Sequence, residues 1–363
     1  MTFLEIDLEK LEYNYHSLRN RLSPNTKMIG VIKANAYGAI CGPISEKLIE
    51  LGTEALAVAY TEEGIQLRKL GITAPVLVFY PQEERFTDII RHELEPVIYS
   101  KRSLKKFKTA VEEEKKSAYP IHIKYNTGLN RIGFHPDEGD WVLQQLRTSF
   151  FKVKSVYTHL GQSEAPKPDK PTENQIFLFK QIMMKHEQVG GQKTDYHLLN
   201  TSGLFNYPEY HLDCVRVGLG LYGFANHPKW NETLQPIAQL KTKITQIHQI
   251  NSGETVGYNC GWKATKNTRV AVLPIGHADG FLRQYGHGNS WVMINGQKAY
   301  VVGNVCMDMI MVDIRDIPCC EKSEVVVIGV GARADELAKN AGTISYELLS
   351  ALGNRITRVL KTK

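Results

Sequence analysis

A chain of 363 residues, 42% hydrophobic and 23% charged, has the composition of an ordinary soluble globular protein and the length for two sizeable cores. Its 44 Lys and Arg against 38 Asp and Glu leave a charge of +6 spread along the chain, with no basic tail, which argues against nucleic acid as a partner. No apolar run approaches the roughly 20 residues a membrane helix needs, and the N-terminus alternates acidic and apolar residues without a signal-peptide pattern, so no membrane partner and a cytoplasmic location are expected.

From Asp7, the run DLEKLEYNYHSLRNRL sets Leu8, Leu11, Tyr15, Leu18 and Leu22 at helical spacing, which predicts an amphipathic helix over 8–22 ahead of the first strand. Eight short apolar runs follow as candidate strands: MIGVIKAN (28–35), ALAVAY (55–60), PVLVFY (75–80), EPVIYS (95–100), IHIKYN (121–126), VKSVYTHL (153–160), YHLLNT (196–201) and CVRVGL (214–219). Helical stretches separate most of them, including ISEKLIELG, EEGIQLRKLG, RSLKKFKTAVEEEKK, DWVLQQLRT and NQIFLFKQIMMKHEQVG, several ending at the glycine that closes helices. Eight βα units in about 220 residues read as a (β/α)₈ TIM-type barrel, assigned to residues 1–232. A doubly wound open sheet has the same alternation, but no GxGxxG follows the first strand. Beyond residue 232 the texture turns β-rich, in KTKITQIHQI, TRVAVLPIG, SWVMINGQKAYVVG and SEVVVIG, with Asn295-Gly296 as a hairpin turn. This predicts a second, mainly β domain over 233–363 that ends in a helix at TISYELLSAL. Cys41, Cys214, Cys260, Cys306, Cys319 and Cys320 form no CxxC pair and no zinc-like spacing, so reduced thiols, no disulfide and no metal site are expected.

A barrel places its site at the carboxyl ends of its strands, so polar residues there carry the most weight. Lys33 closes the first strand in an otherwise apolar run, where the charged form of an amine is disfavoured and Schiff-base chemistry becomes available. Lys124 and Arg131 lie in IKYNTGLNRIGF at the end of the fifth strand, and His159 ends the sixth. Asn200 and Thr201 end the seventh, and Arg216 and Gly218 the eighth. Each alone has an ordinary explanation, Arg131 as a surface charge or His159 as a satisfied core histidine. Together they converge on one rim, and the seventh and eighth strands are where barrels often bind phosphate. Gly218 and Gly220 permit close backbone approach to a ligand, and the Thr201 hydroxyl is suited to a phosphate oxygen. A reactive lysine beside a phosphate site on a barrel suggests pyridoxal 5′-phosphate.

VIKANAYG around Lys33, YTHL around His159, HLLNTSG, VRVGLGLYG, TVGYN around Tyr258, GHADG, VGNVCMDM and TISYELLS resemble, in that order, the motifs of the alanine racemases. The resemblance runs over nearly the whole chain. It implies that Lys33 carries pyridoxal phosphate as a Schiff base, that Arg216 faces the pyridine nitrogen, and that Lys33 and Tyr258 are the two acid/base groups that exchange the Cα proton. It further implies Tyr37, Thr201, Gly218 and Tyr346 near the phosphate, with His159 and Asn200 among the cofactor contacts. Arg131 and the Met307 backbone would lie near the substrate carboxylate, and Lys124 would be a lysine open to carbamylation. The same resemblance implies a homodimer in which Tyr258 and Met307 reach the partner's site, and a supply of D-alanine for peptidoglycan.

The chain departs from the family pattern at three places: Ala39-Ile40 stands where His-Gly usually follows AYG, Asn126 replaces Asp in K-x-D-T-G, and His277 replaces Tyr in GYADG. None touches the two implied bases, but they bear on the entrance and on the Lys124 and Arg131 network. Two other readings stay open. A racemase of serine or other amino acids would keep the same barrel and cofactor, and a non-catalytic carrier of pyridoxal phosphate would need only the barrel. Decarboxylases of related fold lack the combination of TVGYN with VCMDM.

Overall fold

The computed structural model describes residues 2–189 and 193–362. The chain begins with a short strand, β1 (Phe3–Ile6), and then the expected helix, α1 (Leu8–Arg19). Asp7 starts this helix by accepting from the Glu9 and Lys10 backbone amides at 3.1 and 3.2 Å, and the apolar face buries Leu11, Tyr15 and Leu18. The helix closes at Arg19, so Leu22 packs from beyond its end.

The eight apolar runs form eight strands: β2 (Lys27–Val31), β3 (Ala55–Val58), β4 (Val76–Val78), β5 (Glu95–Ile98), β6 (Tyr119–Lys124), β7 (Phe151–Tyr157), β8 (Asp195–His197) and β9 (Cys214–Val217). They pair in parallel in the order β8-β7-β6-β5-β4-β3-β2-β9. Every residue of β3, β4 and β9 is buried, as expected for parallel strands covered on both faces. Backbone bonds from Asp213 to the Tyr196 carbonyl (3.2 Å) and from Arg216 to the Leu199 carbonyl (3.1 Å) draw the two outer strands together and nearly close the barrel. The YHLLNT run is strand only as far as His197. Asn200 and Thr201 instead open a helix (Thr201–Asn206), with Asn200 Oδ1 capping the Gly203 amide at 2.9 Å. The long helix before β8 spans Lys170–Val189, and the glycine expected to close it, Gly190, lies outside the described residues.

The second domain is built on a nine-stranded sheet. Its own strands are β10 (Ala238–Lys243), β11 (Gln246–Ile250), β12 (Thr255–Val256), β13 (Trp262–Lys263), β14 (Thr268–Leu273), β15 (Trp291–Ile294), β16 (Gln297–Val302), β17 (Ile310–Asp313), β18 (Glu324–Ile328) and β19 (Thr357–Leu360), with β12 and β13 paired apart from the rest. The KTKITQIHQI run is shared between β10 and β11. Asn295 and Gly296 have φ of 48° and 76°, the left-handed pair that a two-residue hairpin turn requires. The large sheet also contains β1, antiparallel to β10 and parallel to β19. Residues 3–6 therefore do not belong to the barrel to which 1–232 assigned them. The second domain also does not end at TISYELLSAL: that helix (Ser345–Ser350) is followed by β19 and preceded by a further helix, Ala334–Asn340.

The main apolar core runs through both domains, from Met28 and Leu56 in the barrel to Val292 and Val325 in the sheet, and Val256, Val270, Val302 and Met311 form a smaller cluster apart from it. The Ser345–Ser350 helix rests on the turn that follows Lys33. A β-carbon at Gly38 would lie 2.0 Å from the Leu349 carbonyl oxygen, so that packing needs glycine there. Among the described residues no helix is long and apolar enough to cross a membrane.

Candidate active site

After β2 the chain makes a left-handed turn in which four consecutive non-glycine residues, Ala34, Asn35, Ala36 and Tyr37, have φ between 50° and 56°. Each such residue costs roughly 1–2 kcal/mol, so the turn needs outside support. Glu63 supplies it: one carboxylate oxygen accepts from the Ala34 amide at 2.5 Å and the other from the Ala59 and Tyr60 amides at 2.7 and 3.0 Å. The turn aims Lys33 into a cavity of about 470 Å³ at the carboxyl ends of the barrel strands. Removal of water lowers the Lys33 pKa, repulsion from Arg131 lowers it further, and Glu63 opposes both.

Ten of the residues singled out from the sequence line this one cavity: Lys33, Tyr37, Lys124 and Arg131, then His159, Asn200 and Thr201, and finally Arg216, Gly218 and Tyr346. Its described lining holds four cationic groups and no Asp or Glu, so the charge suits a ligand with several negative charges. Lys124 ends β6 almost fully buried, with no hydrogen-bond or ion-pair partner among the described residues. Burial, then Arg131, Arg216 and Lys33, bring its pKa down to about 7. Asn126 folds the loop that carries Arg131: its Oδ1 accepts from the Gly128 and Asn130 amides at 3.2 and 2.9 Å.

Arg216 lies at the floor of the cavity, 3% exposed. Nη2 donates to the Thr158 and Leu198 carbonyls (3.0 and 3.1 Å) and to His159 Nδ1 (3.1 Å), and Nη1 donates to His197. Nε alone has no acceptor among the described residues. Burial lowers the guanidinium pKa to about 10, still charged at neutral pH. His159 is held well below the ordinary histidine value by burial and then by Arg216, Lys124, Arg131 and Lys33, so it is a neutral acceptor. At the opposite wall Thr201 Oγ1 accepts from the Gly218 and Gly220 amides, both at 3.2 Å, and the Tyr37 ring lies 5.9 Å from that of Tyr346, brought in by the Ser345–Ser350 helix.

Tyr258 and Met307 are not in this cavity. They line an open groove of about 580 Å³ on the second domain, with Cys306, Met309 and Met311, and are 69% and 58% exposed. Asn304 steadies the Tyr258 loop by donating to the Tyr258 carbonyl at 2.9 Å, and the turn at His277 holds the Met307 segment through the Ala278 amide (3.0 Å).

Sequence reasoning missed Tyr157, whose ring lies 4.9 Å from the Arg216 guanidinium carbon and 5.8 Å from the Lys124 ammonium. It missed Tyr60 and Tyr80 on the rim as well. The signal for Tyr157 was its place beside the YTHL histidine. The two rim tyrosines close apolar runs, where an aromatic looks like ordinary strand.

The family descriptions "Alanine racemase, N-terminal domain" and "Alanine racemase, C-terminal domain" match residues 6–226 and 237–360. The chain belongs to the alanine racemase family. An alanine racemase of Clostridium novyi (strain NT) is 34% identical to it, over 98% of this chain and 94% of that one. The solved alanine racemase of Clostridium difficile 630 superposes with a TM-score of 0.93 at 32% identity, covering 99% and 95% of the two chains. A Bartonella henselae alanine racemase with covalently bound pyridoxal phosphate shares the fold at a TM-score of 0.89 and 24% identity, over 99% of both chains. As a member of this family the chain is an enzyme, an amino-acid racemase of the isomerase class.

Proposed function

We propose that the barrel cavity binds pyridoxal 5′-phosphate on Lys33 and that the chain interconverts L-alanine and D-alanine with Lys33 and Tyr258 as its two acid/base groups. The observation that carries this reading is the Lys33 amine sharing with the Gly218 shelf one cavity whose charged side chains are all basic. The residues present fit the cofactor. A β-carbon at Gly218 would come 2.3 Å from Tyr37 Oη, so the shelf is open to a phosphate only because residue 218 is glycine. Tyr37, Thr201, Asn200, Gly218 and Tyr346 would hold the phosphate, His159 would flank the ring, and the free Nε–H of Arg216 would meet the ring nitrogen. When bound, pyridoxal phosphate supplies an electron sink that makes the Cα proton of an attached amino acid removable. A guanidinium offers a hydrogen bond without giving up its proton, so Arg216 keeps the electron demand at its contact atom low.

Racemisation takes a proton from one face of Cα and delivers one to the other. Lys33 serves one face. Tyr258 stands outside its own chain's cavity, so it serves the other face from a second copy of the chain, together with Met307, in a homodimer. Arg131 and the Met307 backbone hold the substrate carboxylate. With its pKa brought down to about 7, Lys124 has a neutral fraction that adds to carbon dioxide, giving a carbamate and a released proton and placing a negative charge beside Arg131. Electron density at Lys124 Nζ decides that point, and a bare amine would sink it. D-alanine made this way supplies peptidoglycan.

The test is chiral chromatography after purified protein meets L-alanine and pyridoxal phosphate, with L-serine in parallel. D-alanine well ahead of D-serine is expected. Equal rates would move the reading to a broad racemase, and no D-product in either vial would defeat it.

A further inference from the structure

Beneath the cavity floor, five polar side chains run end to end through the barrel, one from each of five consecutive strands: Glu95 from β5, His122 from β6, Ser155 from β7, His197 from β8 and Arg216 from β9. His122 Nε2 lies 2.8 Å from Glu95 Oε2, His122 Nδ1 lies 2.7 Å from Ser155 Oγ, and His197 Nε2 lies 2.8 Å from the same hydroxyl. Arg216 completes the series by donating to His197 Nδ1. None of the five is more than 8% exposed. Glu95 opens its strand and His197 closes its own, so the series climbs from the amino-terminal end of the barrel to the cavity.

The direction of every bond follows from the two ends. A guanidinium only donates and a carboxylate only accepts. His197 Nδ1 therefore accepts from Arg216, and His197 Nε2–H donates to Ser155. The Ser155 hydroxyl then donates to His122 Nδ1, and His122 Nε2–H donates to Glu95. Both histidines are assigned as neutral Nε2–H tautomers, because that choice alone satisfies every group. Burial by itself would raise the Glu95 carboxyl, but the hydrogen bond from His122 and the positive charges of Lys154 and Arg68 hold it below its ordinary value. No carboxylate of the described residues touches Arg216, although a buried cation without a counter-charge is costly.

We propose that Glu95 is the remote counter-charge of Arg216, acting through the one-way chain His122–Ser155–His197 to keep the guanidinium charged and fixed in orientation at the cavity floor. Each bond polarises the next, so the carboxylate makes His197 Nδ1 a stronger acceptor three side chains from where the charge resides. Glu95 is thus a positioning residue. Its catalytic consequence rests on the ring-facing role proposed for Arg216, whereas the chain of bonds belongs to the protein alone.

The experiment is ¹⁵N NMR of the full-length, histidine-labelled protein without added cofactor, followed by kinetics on the loaded enzyme. In the unsubstituted protein both His122 and His197 give the signals of neutral Nε2–H rings. Glu95→Gln keeps the shape but removes the charge, and it shifts the His197 Nδ1 signal although His122 and Ser155 intervene. Ser155→Ala produces a shift of the same sense, and combining the two adds nothing further at His197. Ser155→Thr, which retains the hydroxyl, restores the original signal and keeps the test alive if Glu95→Gln fails to fold. In the loaded enzyme each broken link lowers kcat about tenfold with KM nearly unchanged, the scale of one hydrogen bond's net worth. An unmoved His197 signal in Glu95→Gln, or effects that simply add in the double variant, would overturn the proposal. If the unsubstituted protein makes no D-alanine, the racemase reading fails while the NMR result still decides this one.

Discussion

The barrel cavity and the groove around Tyr258 are nearly opposite kinds of surface. In the cavity Arg216, Lys124 and Thr201 are buried and walled in by strands, and burial lowers the pKa of both charged groups. In the groove Tyr258, Met307 and Met309 stand open, 42% to 69% exposed, on loops of the second domain. A barrel rim can enclose one side of a planar substrate, but the other side has to be approached from outside. On the proposed function, the contrast teaches that the chain carries the two halves of a two-sided site in separate places.

The largest expected effect is that of Lys33→Ala, which removes both the proposed cofactor anchor and one base. It should cost about 10⁴-fold or more in racemisation. The thermal midpoint should hardly move, since Lys33 has no hydrogen-bond or ion-pair partner to lose among the described residues. Next comes Tyr258→Phe, at about 10²-fold in kcat. Mixing Lys33→Ala chains with Tyr258→Phe chains should then restore about a quarter of the normal rate, because half of a random set of dimers are hybrids with one intact site each. A mixture no faster than its parts would place both bases in one chain and break the comparison. Smaller still is Gly218→Ala. Its methyl group would press on Tyr37, costing about 1–3 kcal/mol of stability and weakening pyridoxal phosphate binding, measured by titration against absorbance.

The smallest effect is on acid stability. His159 and His197 are held far below the ordinary histidine value of 6.5, and His186, bonded to Tyr125 at 2.9 Å, is lowered to about 4, in each case chiefly by burial. The unfolded chain takes up these protons near pH 6.5 and the folded chain does not. Stability is therefore whole above that pH and declines as pH falls from 6.5 towards 4. Thermal midpoints followed from about pH 7 to about pH 5 should drop steadily, and a flat profile would show that these rings are solvated in the folded state.

Much of this was legible in the sequence, and the failures have physical causes. The eight barrel strands showed as apolar runs because strands covered on both faces have no polar alternation to hide them. Lys33, Lys124 and Arg216 showed because each is a charge placed where a strand ends. FLEI was passed over at β1 because four residues give too short a period, and its partners, Leu240 and Arg358 opposite Leu4, lie far along the chain. YHLLNT concealed the end of β8 because Leu198 and Leu199 remain buried after the strand has stopped, so hydrophobicity alone carries no boundary there. Asn200 was the sign of a helix start and was taken for a strand end. The Glu95-to-Arg216 series was invisible for a different reason: its members are spread over five strands, and only the pairing of β5 to β8 and the closure of β9 onto β8 make them neighbours.

The position of β1 also shapes how the molecule is made. A ribosome releases Phe3–Ile6 ahead of the whole barrel, yet one flanking strand is synthesised only at 238–243 and the other only at 357–360. The whole barrel is in effect an insertion between the first strand of a sheet and the rest of it. Until Thr357–Leu360 emerges, that first segment waits as an unsatisfied edge, so the nascent chain is committed late and a cut near residue 232 leaves two fragments that each lack a piece of the same sheet.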